Sequence, residues 1–371
     1  MKLPLWFFGV HMKKIVKIIC IILIALVLVA GTILAYLSVD EFKPKEIEVL
    51  EIEGEAHKTL VRGENYKIMT WNIGYGALGD NADFFYDGGK MVYSADKNRV
   101  YANMKGIIDE IQSVSPDILL TQEIDRNSAR SRFVDEMKYL RDNSFNDVLS
   151  GSSVFASNFK VAFIPLPIPP MGKVYCGIGT YSDYTISYAV RQALPCPFKW
   201  PFSTINLKRC LEVMRMPVEG SDNELVLVNL HLEAYDDGEG KIAQTKELEE
   251  LLETEVQKGN YVIAGGDFNQ VFSNVDTSAF PVLSGRWKPG EIDVTQFDNG
   301  LTFRTDDKVP SCRSLDKPLV TAPSKEPSEF QYYIIDGFIV SENVEVESVH
   351  TEDIGFVHAD HNPVVMQFKL K

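Results

Sequence analysis

Five short apolar runs rich in β-branched residues do most to limit what this chain can become: KIMTWNI, DILLTQEI, ELVLVNLHL, NYVIAGGDF and YYIIDGFIV. They lack the strict alternation of half-exposed strands, so each reads as a strand covered on both faces. Helical spacing supplies cover: residues 98–112 and 241–257 repeat apolar side chains every three to four positions, as helices lying on a sheet do. CGIGTYS followed by YTISYAV, and CLEVMRMPV before ELVLVNLHL, have the pattern of antiparallel pairs. The expected α/β core is a pair of packed sheets flanked by helices, in one domain of about 300 residues spanning 66–371.

The N-terminus is a separate object. From Ile18 to Leu37 the chain carries 20 residues without a charge, enough at ~1.5 Å rise per residue to cross the ~30 Å hydrocarbon layer as one helix. A cleaved signal peptide is the rival, but its apolar core is usually only ~7–15 residues and needs a small-residue cleavage site, which ILAYLSVD supplies poorly. Lysines before the span, and Asp40 and Glu41 after it, orient residues 1–17 as a cytoplasmic tail and place everything after residue 40 outside a cell membrane, as a single-pass protein. Residues 38–65 are charged without a sustained period and read as a juxtamembrane linker.

The charge narrows the partners. The chain has 37 basic and 52 acidic residues, a net charge of −15, which argues against holding nucleic acid mainly by charge. It leaves nucleases in play, because a bound divalent cation adds positive charge that such a count omits. Five cysteines, Cys20, Cys176, Cys196, Cys210 and Cys312, have no zinc spacing; one or two disulfides of unfixed connectivity are open, and buried free thiols at least as much so. Residues 163–202 combine prolines with apolar and aromatic residues in FIPLPIPPMG and ALPCPFKWPF. The plain reading is stiffened loops packed on the domain; the sharper one is an apolar rim meeting a membrane or a lipid.

Chemistry concentrates at the ends of these runs. Asn72 closes KIMTWN, Glu123 closes DILLTQE, His231 sits in VNLHLE, Asp267 and Asn269 follow YVIAGG, Asp336 lies in YYIIDGF, and Asp360 and His361 precede the last strand. Singly, each is a cap, a turn former or a satisfied buried polar group. Their repetition at strand ends points to one shared site at a sheet edge. Oxygen ligands without cysteine favour a hard cation such as Mg²⁺, which takes one or two carboxylates, keeps waters and binds a substrate phosphate. Glu123 is the first choice of ligand, and the other groups suit activation of water against a phosphorus–oxygen bond.

The ordered set Trp71-Asn72-Ile73, Gln122-Glu123, Asn229-Leu230-His231-Leu232-Glu233, Gly266-Asp267-Phe268-Asn269, Ile335-Asp336 and Asp360-His361-Asn362-Pro363 resembles the endonuclease/exonuclease/phosphatase superfamily of metal-dependent phosphoesterases, over about 66–371. The resemblance implies a four-layered α/β sandwich with two central mixed sheets flanked by helices, here preceded by the transmembrane helix. It also implies roles. Glu123 is the principal ligand of Mg²⁺, for which Mn²⁺ can substitute; Asn72 positions metal or phosphate, and Asp360 is a further metal contact. Asp267 orients or deprotonates the attacking water, Asn269 holds a phosphate oxygen, and His231 contacts phosphate and assists the leaving group. Asp336 orients the His361 ring. Two departures stand out: Ala359 where the family often has Ser, and Gly74 where some nuclease members carry an acid.

Other polar residues read as background: His350 and His358 as structural, His57 and His11 as linker and tail, Arg126 and Arg130 as solvated helix-start charges with a phosphate contact as the alternative, Tyr184 as strand packing, and Tyr235–Glu239 as a solvated loop. The expectation is therefore a membrane-anchored, Mg²⁺-dependent phosphoesterase acting on a phosphodiester. A phospholipid or sphingomyelin-like head group suits the anchor, nucleic acid finds no basic stripe, and a small phosphorylated metabolite would need a basic pocket. The rival class is a catalytically silent binding module on the same fold. No protein partner is readable from the residues.

Overall fold

The computed structural model describes residues 5–143, 147–236, 238–321 and 330–371. Its two seven-stranded sheets use, in chain order, β1 (Ile47–Val49), β2 (Ile52–Glu53), β3 (Tyr66–Asn72), β4 (Ile118–Asp125), β5 (Ser152–Ile164), β6 (Gly172–Ser182), β7 (Tyr188–Ala193), β8 (Cys210–Met216), β9 (Leu225–His231), β10 (Tyr261–Asp267), β11 (Thr302–Arg304), β12 (Asp336–Val340), β13 (Val344–Thr351) and β14 (Val364–Leu370). One sheet has the order β1, β7, β8, β9, β10, β12, β11; the other has β13, β14, β3, β4, β6, β5, β2. Each has one central parallel pair, β9 with β10 and β3 with β4, among antiparallel neighbours.

Helices α1 (Leu5–Asp40), α2 (Lys97–Val114), α3 (Glu136–Asp142) and α4 (Glu239–Gln257) account for the rest of the long elements. The sheets pack face to face through Ile68, Leu120, Leu227, Ile263 and Phe338. On the outer face of one sheet, α2 and α3 cover Met69, Trp71 and Leu119 with Met104, Ile107 and Leu140. On the other, α4 covers Val226, Val228 and Val262 with Leu248 and Leu252. Burial on both faces explains why the strand sequences run apolar without alternation. Asp96 caps α2 by accepting from Arg99 N at 2.8 Å, and at α4, whose N-cap is Gly238, Asp236 in the preceding loop accepts from Gly240 N at 2.5 Å.

Three local expectations change. CGIGTYS and YTISYAV do not pair, because β6 and β7 belong to different sheets and the chain crosses over between them; β7 pairs instead with β8, and β8 with β9. YYIIDGFIV is not one strand: Tyr332–Tyr333 pairs with Cys312–Arg313, and β12 begins only at Asp336. Residues 47–53, within the stretch read as linker, add β1 to the edge of one sheet and β2 to the edge of the other, which ties this segment to both layers.

Met12–Asp40, within α1, is long and apolar enough by length and composition to cross a membrane. Its last turns are not free. Leu34, Leu37 and Ser38, one helical face by spacing, are partly buried, and Asp40 Oδ2 accepts from the backbone N–H groups of Ala162 and Phe163 at 2.8 and 3.3 Å. All five cysteines are free thiols.

Candidate active site

Strand parity assembles most of the site. Ile68 of β3, Leu227 of β9 and Ile263 of β10 point between the sheets, so Asn72, His231 and Asp267, an even number of residues further on, point the same way at their strand ends. β12 runs antiparallel to β10 and sets Asp336 opposite Asp267. Asp336 therefore reaches the same edge from the start of its strand, not from the C-terminal end that the sequence suggested. Asp360 and His361 arrive just before β14, which is antiparallel to β3.

Glu123 needs another device. Parity puts Gln122 between the sheets, where its Nε2 donates to Asn229 Oδ1 at 2.8 Å, and would turn Glu123 away. A register shift between Thr121 and Ile124, with φ of 52° at Glu123, breaks the alternation inside β4. Such a bulge re-aims one side chain and bends the strand. Glu123 is thus not the strand's last residue, since β4 continues to Asp125.

The side chains then interlock. Asn72 Nδ2 donates to Asp267 Oδ2 at 3.0 Å and to Glu123 Oε1 at 3.3 Å, while its Oδ1 accepts from Gly74 N at 3.1 Å. Asp267 Oδ1 accepts from Asn269 N at 2.9 Å. Asn269, at φ 52°, donates its amide to Leu232 O at 2.9 Å. His361 Nδ1 lies 2.8 Å from Asp336 Oδ2, and the other ring nitrogen is 3.8 Å from Asp267 Oδ2. His231 Nε2 approaches the same Asp267 oxygen at 3.3 Å. Trp71 Nε1 donates to the His361 carbonyl at 2.9 Å and fixes the loop.

Burial and charge separate the two rings. Burial opposes charge on His361, but the Asp336 carboxylate overcomes it and holds the imidazole well above its ordinary value. Burial, with Arg209 adding to it, holds His231 well below. Burial and then the Asp336 charge push the Asp267 carboxyl up to about 7. For Asp360 burial dominates, His361 opposes it and Glu123 adds to it, giving about 7. One protonated ring, one neutral ring and a carboxyl near neutrality is the division of labour that proton transfer at neutral pH requires.

Glu123, His231, Asp267, Asn269, Asp360 and His361 line one cavity of about 510 Å³. Sequence reading missed part of its wall. Arg130, expected to be solvated, pairs with buried Asp125 at 2.9 and 3.2 Å and lies 3.8 Å over the Tyr75 ring, which also faces the cavity. Tyr235, read as part of a solvated run, is 39% exposed and also donates to Asp87 Oδ1 at 3.0 Å at the cavity wall. The Arg130–Tyr75 and Tyr235–Asp87 contacts had no local signal, because each partner is distant in sequence. His350 pairs with Glu352 at 2.9 Å, and Tyr184 packs edge-on against Tyr66, away from the site.

The residue set suits a hard cation. Glu123, Asn72 and Asp360 offer oxygen atoms, and the buried Asp360 Oδ1 has no protein hydrogen-bond partner. Gly74, at φ 51°, leaves the space beside that oxygen clear, since a Cβ there would come within 2.8 Å of it. Asp267, Asp336 and His361 form a second group whose ligand atoms lie within 4.8 Å of one another. In that group the His361–Asp336 bond already occupies one ring nitrogen.

The sequence of residues 69–353 matches the Endonuclease/Exonuclease/phosphatase family. The chain belongs to that family. No curated protein sequence matches it. Among solved structures, the endonuclease/exonuclease/phosphatase from Beutenbergia cavernae is 17% identical, with a TM-score of 0.53, covering 82% of this chain and 72% of that one. TDP2 from Caenorhabditis elegans (15%, TM-score 0.48, 83% and 75%) and the human Nocturnin catalytic domain with bound sulfate (16%, 0.48, 87% and 98%) are also similar. At such identities the likeness is one of fold. The family's hydrolases act on phosphodiester bonds, and in this member the interlocked groups above stand at strand ends of both sheets.

Proposed function

We propose that this chain is a membrane-anchored, Mg²⁺-dependent phosphoesterase that hydrolyses a phosphodiester, with α1 as a single-pass anchor, residues 1–17 cytoplasmic and the catalytic domain outside. The observation that carries the reading is the Asp267 carboxyl held between two histidines of opposite protonation preference. Glu123, Asn72 and Asp360 would hold the cation, which when bound supplies positive charge to a substrate phosphate oxygen.

The protein's own groups account for the remaining steps. Asp267, oriented by Asn72 and by Asn269 N, accepts the proton of the attacking water as the water oxygen bonds to phosphorus and one ester P–O bond breaks. His361, kept charged and oriented by Asp336, donates to a phosphoryl oxygen as negative charge develops there. Neutral His231 donates a hydrogen bond on the neighbouring side. The departing alkoxide takes a proton from solvent, so one water yields an acid and an alcohol.

The test is hydrolysis of bis-p-nitrophenyl phosphate by the purified full chain with Mg²⁺ or with EDTA, alongside His361→Ala. Turnover that needs the metal and disappears in the variant supports the reading. Turnover indifferent to both removes it.

A further inference from the structure

The cavity has an arm that none of these steps uses. Phe159, Ile164, Met171, Val174, Ile205 and Leu207 wall it, and the same side chains form one packed apolar cluster with Phe42. Phe42 stands two residues beyond the end of α1. An apolar lining continuous with a polar, phosphate-sized end is what a ligand with a charged head and a hydrocarbon tail needs.

The mouth of this arm faces the end of the apolar helix. Asp40 at the end of α1 accepts from Ala162 and Phe163, at the end of β5 just before the loop 165–171. Ser38 Oγ accepts from Trp200 Nε1 at 2.9 Å, in the loop 194–209. Both loops carry large apolar side chains into solvent: Ile168 is 90% exposed, Phe202 64%, Leu166 61% and Trp200 60%. Isolated exposed apolar residues are ordinary, but four such side chains on two loops, one hydrogen-bonded to a membrane-length helix and the other following a strand end that is, form a patch that water alone does not explain. A Trp at this height is the residue type that settles at a bilayer interface.

We propose that the substrate is a phosphodiester carrying a hydrocarbon chain, taken from the bilayer in which α1 stands. Its tail lies along Phe159, Ile164 and Leu207, its phosphate lies at the polar end of the cavity against Asp267 and His361, and the two loops seat in the interfacial layer. This rests on the phosphoesterase reading above and adds the substrate class to it. Each methylene that leaves water multiplies affinity about fourfold, so the tail supplies binding beyond what the phosphate alone provides.

The experiment compares methyl p-nitrophenyl phosphate with dodecyl p-nitrophenyl phosphate, the latter below its micellar concentration, using the full chain in nanodiscs. The dodecyl ester is expected to show kcat/KM about 100-fold higher, from partial burial of the added methylenes. Leu166→Glu, an exposed position at the arm's mouth, is expected to cut that preference about tenfold. Ile168→Glu combined with Trp200→Ser is expected to slow the dodecyl ester held in vesicles while leaving the methyl ester unchanged.

Equal kcat/KM for the two esters, or a preference that survives Leu166→Glu, overturns the proposal. Cleavage of neither ester would instead sink the phosphoesterase reading. The tail site is then judged by calorimetry with dodecyl phosphate against methyl phosphate: tighter binding of the former that Leu166→Glu abolishes sustains it, and equal binding removes it. A single-stranded oligonucleotide that binds more tightly than dodecyl phosphate also overturns it.

Discussion

His361 Nδ1 stands 2.8 Å from Asp336 Oδ2, and the two residues belong to different layers: Asp336 begins β12 in one sheet, while His361 precedes β14 in the other. The hydrogen bond therefore bridges the sheet edges as well as orienting a ring. Asp336 N in turn approaches Ser311 Oγ at 3.2 Å, and Asn362 N donates to Ser311 O at 2.8 Å, so the bridge sits on a shared scaffold.

Because the Asp336 carboxylate overcomes burial at His361, Asp336→Asn should lower the imidazole pKa toward or below its ordinary value. The ring would lose its proton at lower pH, so the alkaline limb of the pH–rate profile should move to lower pH. NMR titration of the His361 ring in variant and parent measures the shift directly. An unchanged titration would mean that Asp336 holds geometry alone.

Asp267→Asn keeps the shape of the side chain and its acceptor for Asn269 N, but removes the proton acceptor. Turnover should fall about 100- to 10,000-fold, the range for loss of a general base. Activity within threefold of the parent would reassign the base to another group.

Gly74→Ala should weaken Mg²⁺ binding. At φ 51° an added Cβ is strained and comes within 2.8 Å of Asp360 Oδ1, so either the carboxylate or the backbone must move. Calorimetric titration with Mg²⁺ reads this without turnover. Identical affinities would indicate that Asp360 does not face the cation.

Glu212, deep between the sheets, accepts from Thr180 Oγ1 at 2.5 Å, yet burial pushes its carboxyl up to about 8. An acid whose pKa is higher folded than unfolded keeps its proton longer in the native state, so stability falls as pH rises from about 4.5 to about 8. Glu212→Gln removes that loss. Across this window the variant should gain on the parent by up to about 1.4 kcal/mol per pH unit, read as the difference between their urea midpoints at several pH values. A constant difference would show that Glu212 finds compensation when ionised.

Trp71→Phe should cost about 1–3 kcal/mol, because it leaves the His361 carbonyl without its buried donor. The same change loosens the loop that carries Asp360 and His361, so kcat should fall although no site group is altered. Loss of stability with kcat preserved would separate the loop's anchoring from catalysis.

Much of this protein is written in local sequence. The double burial of KIMTWNI, ELVLVNLHL and NYVIAGGDF is legible because apolar residues fill both parities, and the helices α2 and α4 because theirs follow the 3.6 period. Asn72, His231 and Asp267 were readable as strand-end groups, and the apolar span as a helix of membrane length, because each depends only on near neighbours along the chain. Tertiary structure alone decided the rest. The bulge that turns Glu123 into the cavity, the crossover that parts β6 from β7, the entry of Asp336 from the start of its strand, and the Arg130–Tyr75 contact all depend on partners far apart in sequence. So does the docking of the end of α1 beside Trp200 and the apolar arm. Strand order and register arise from packing two sheets at once, and local propensity has no information about which distant strand will lie alongside.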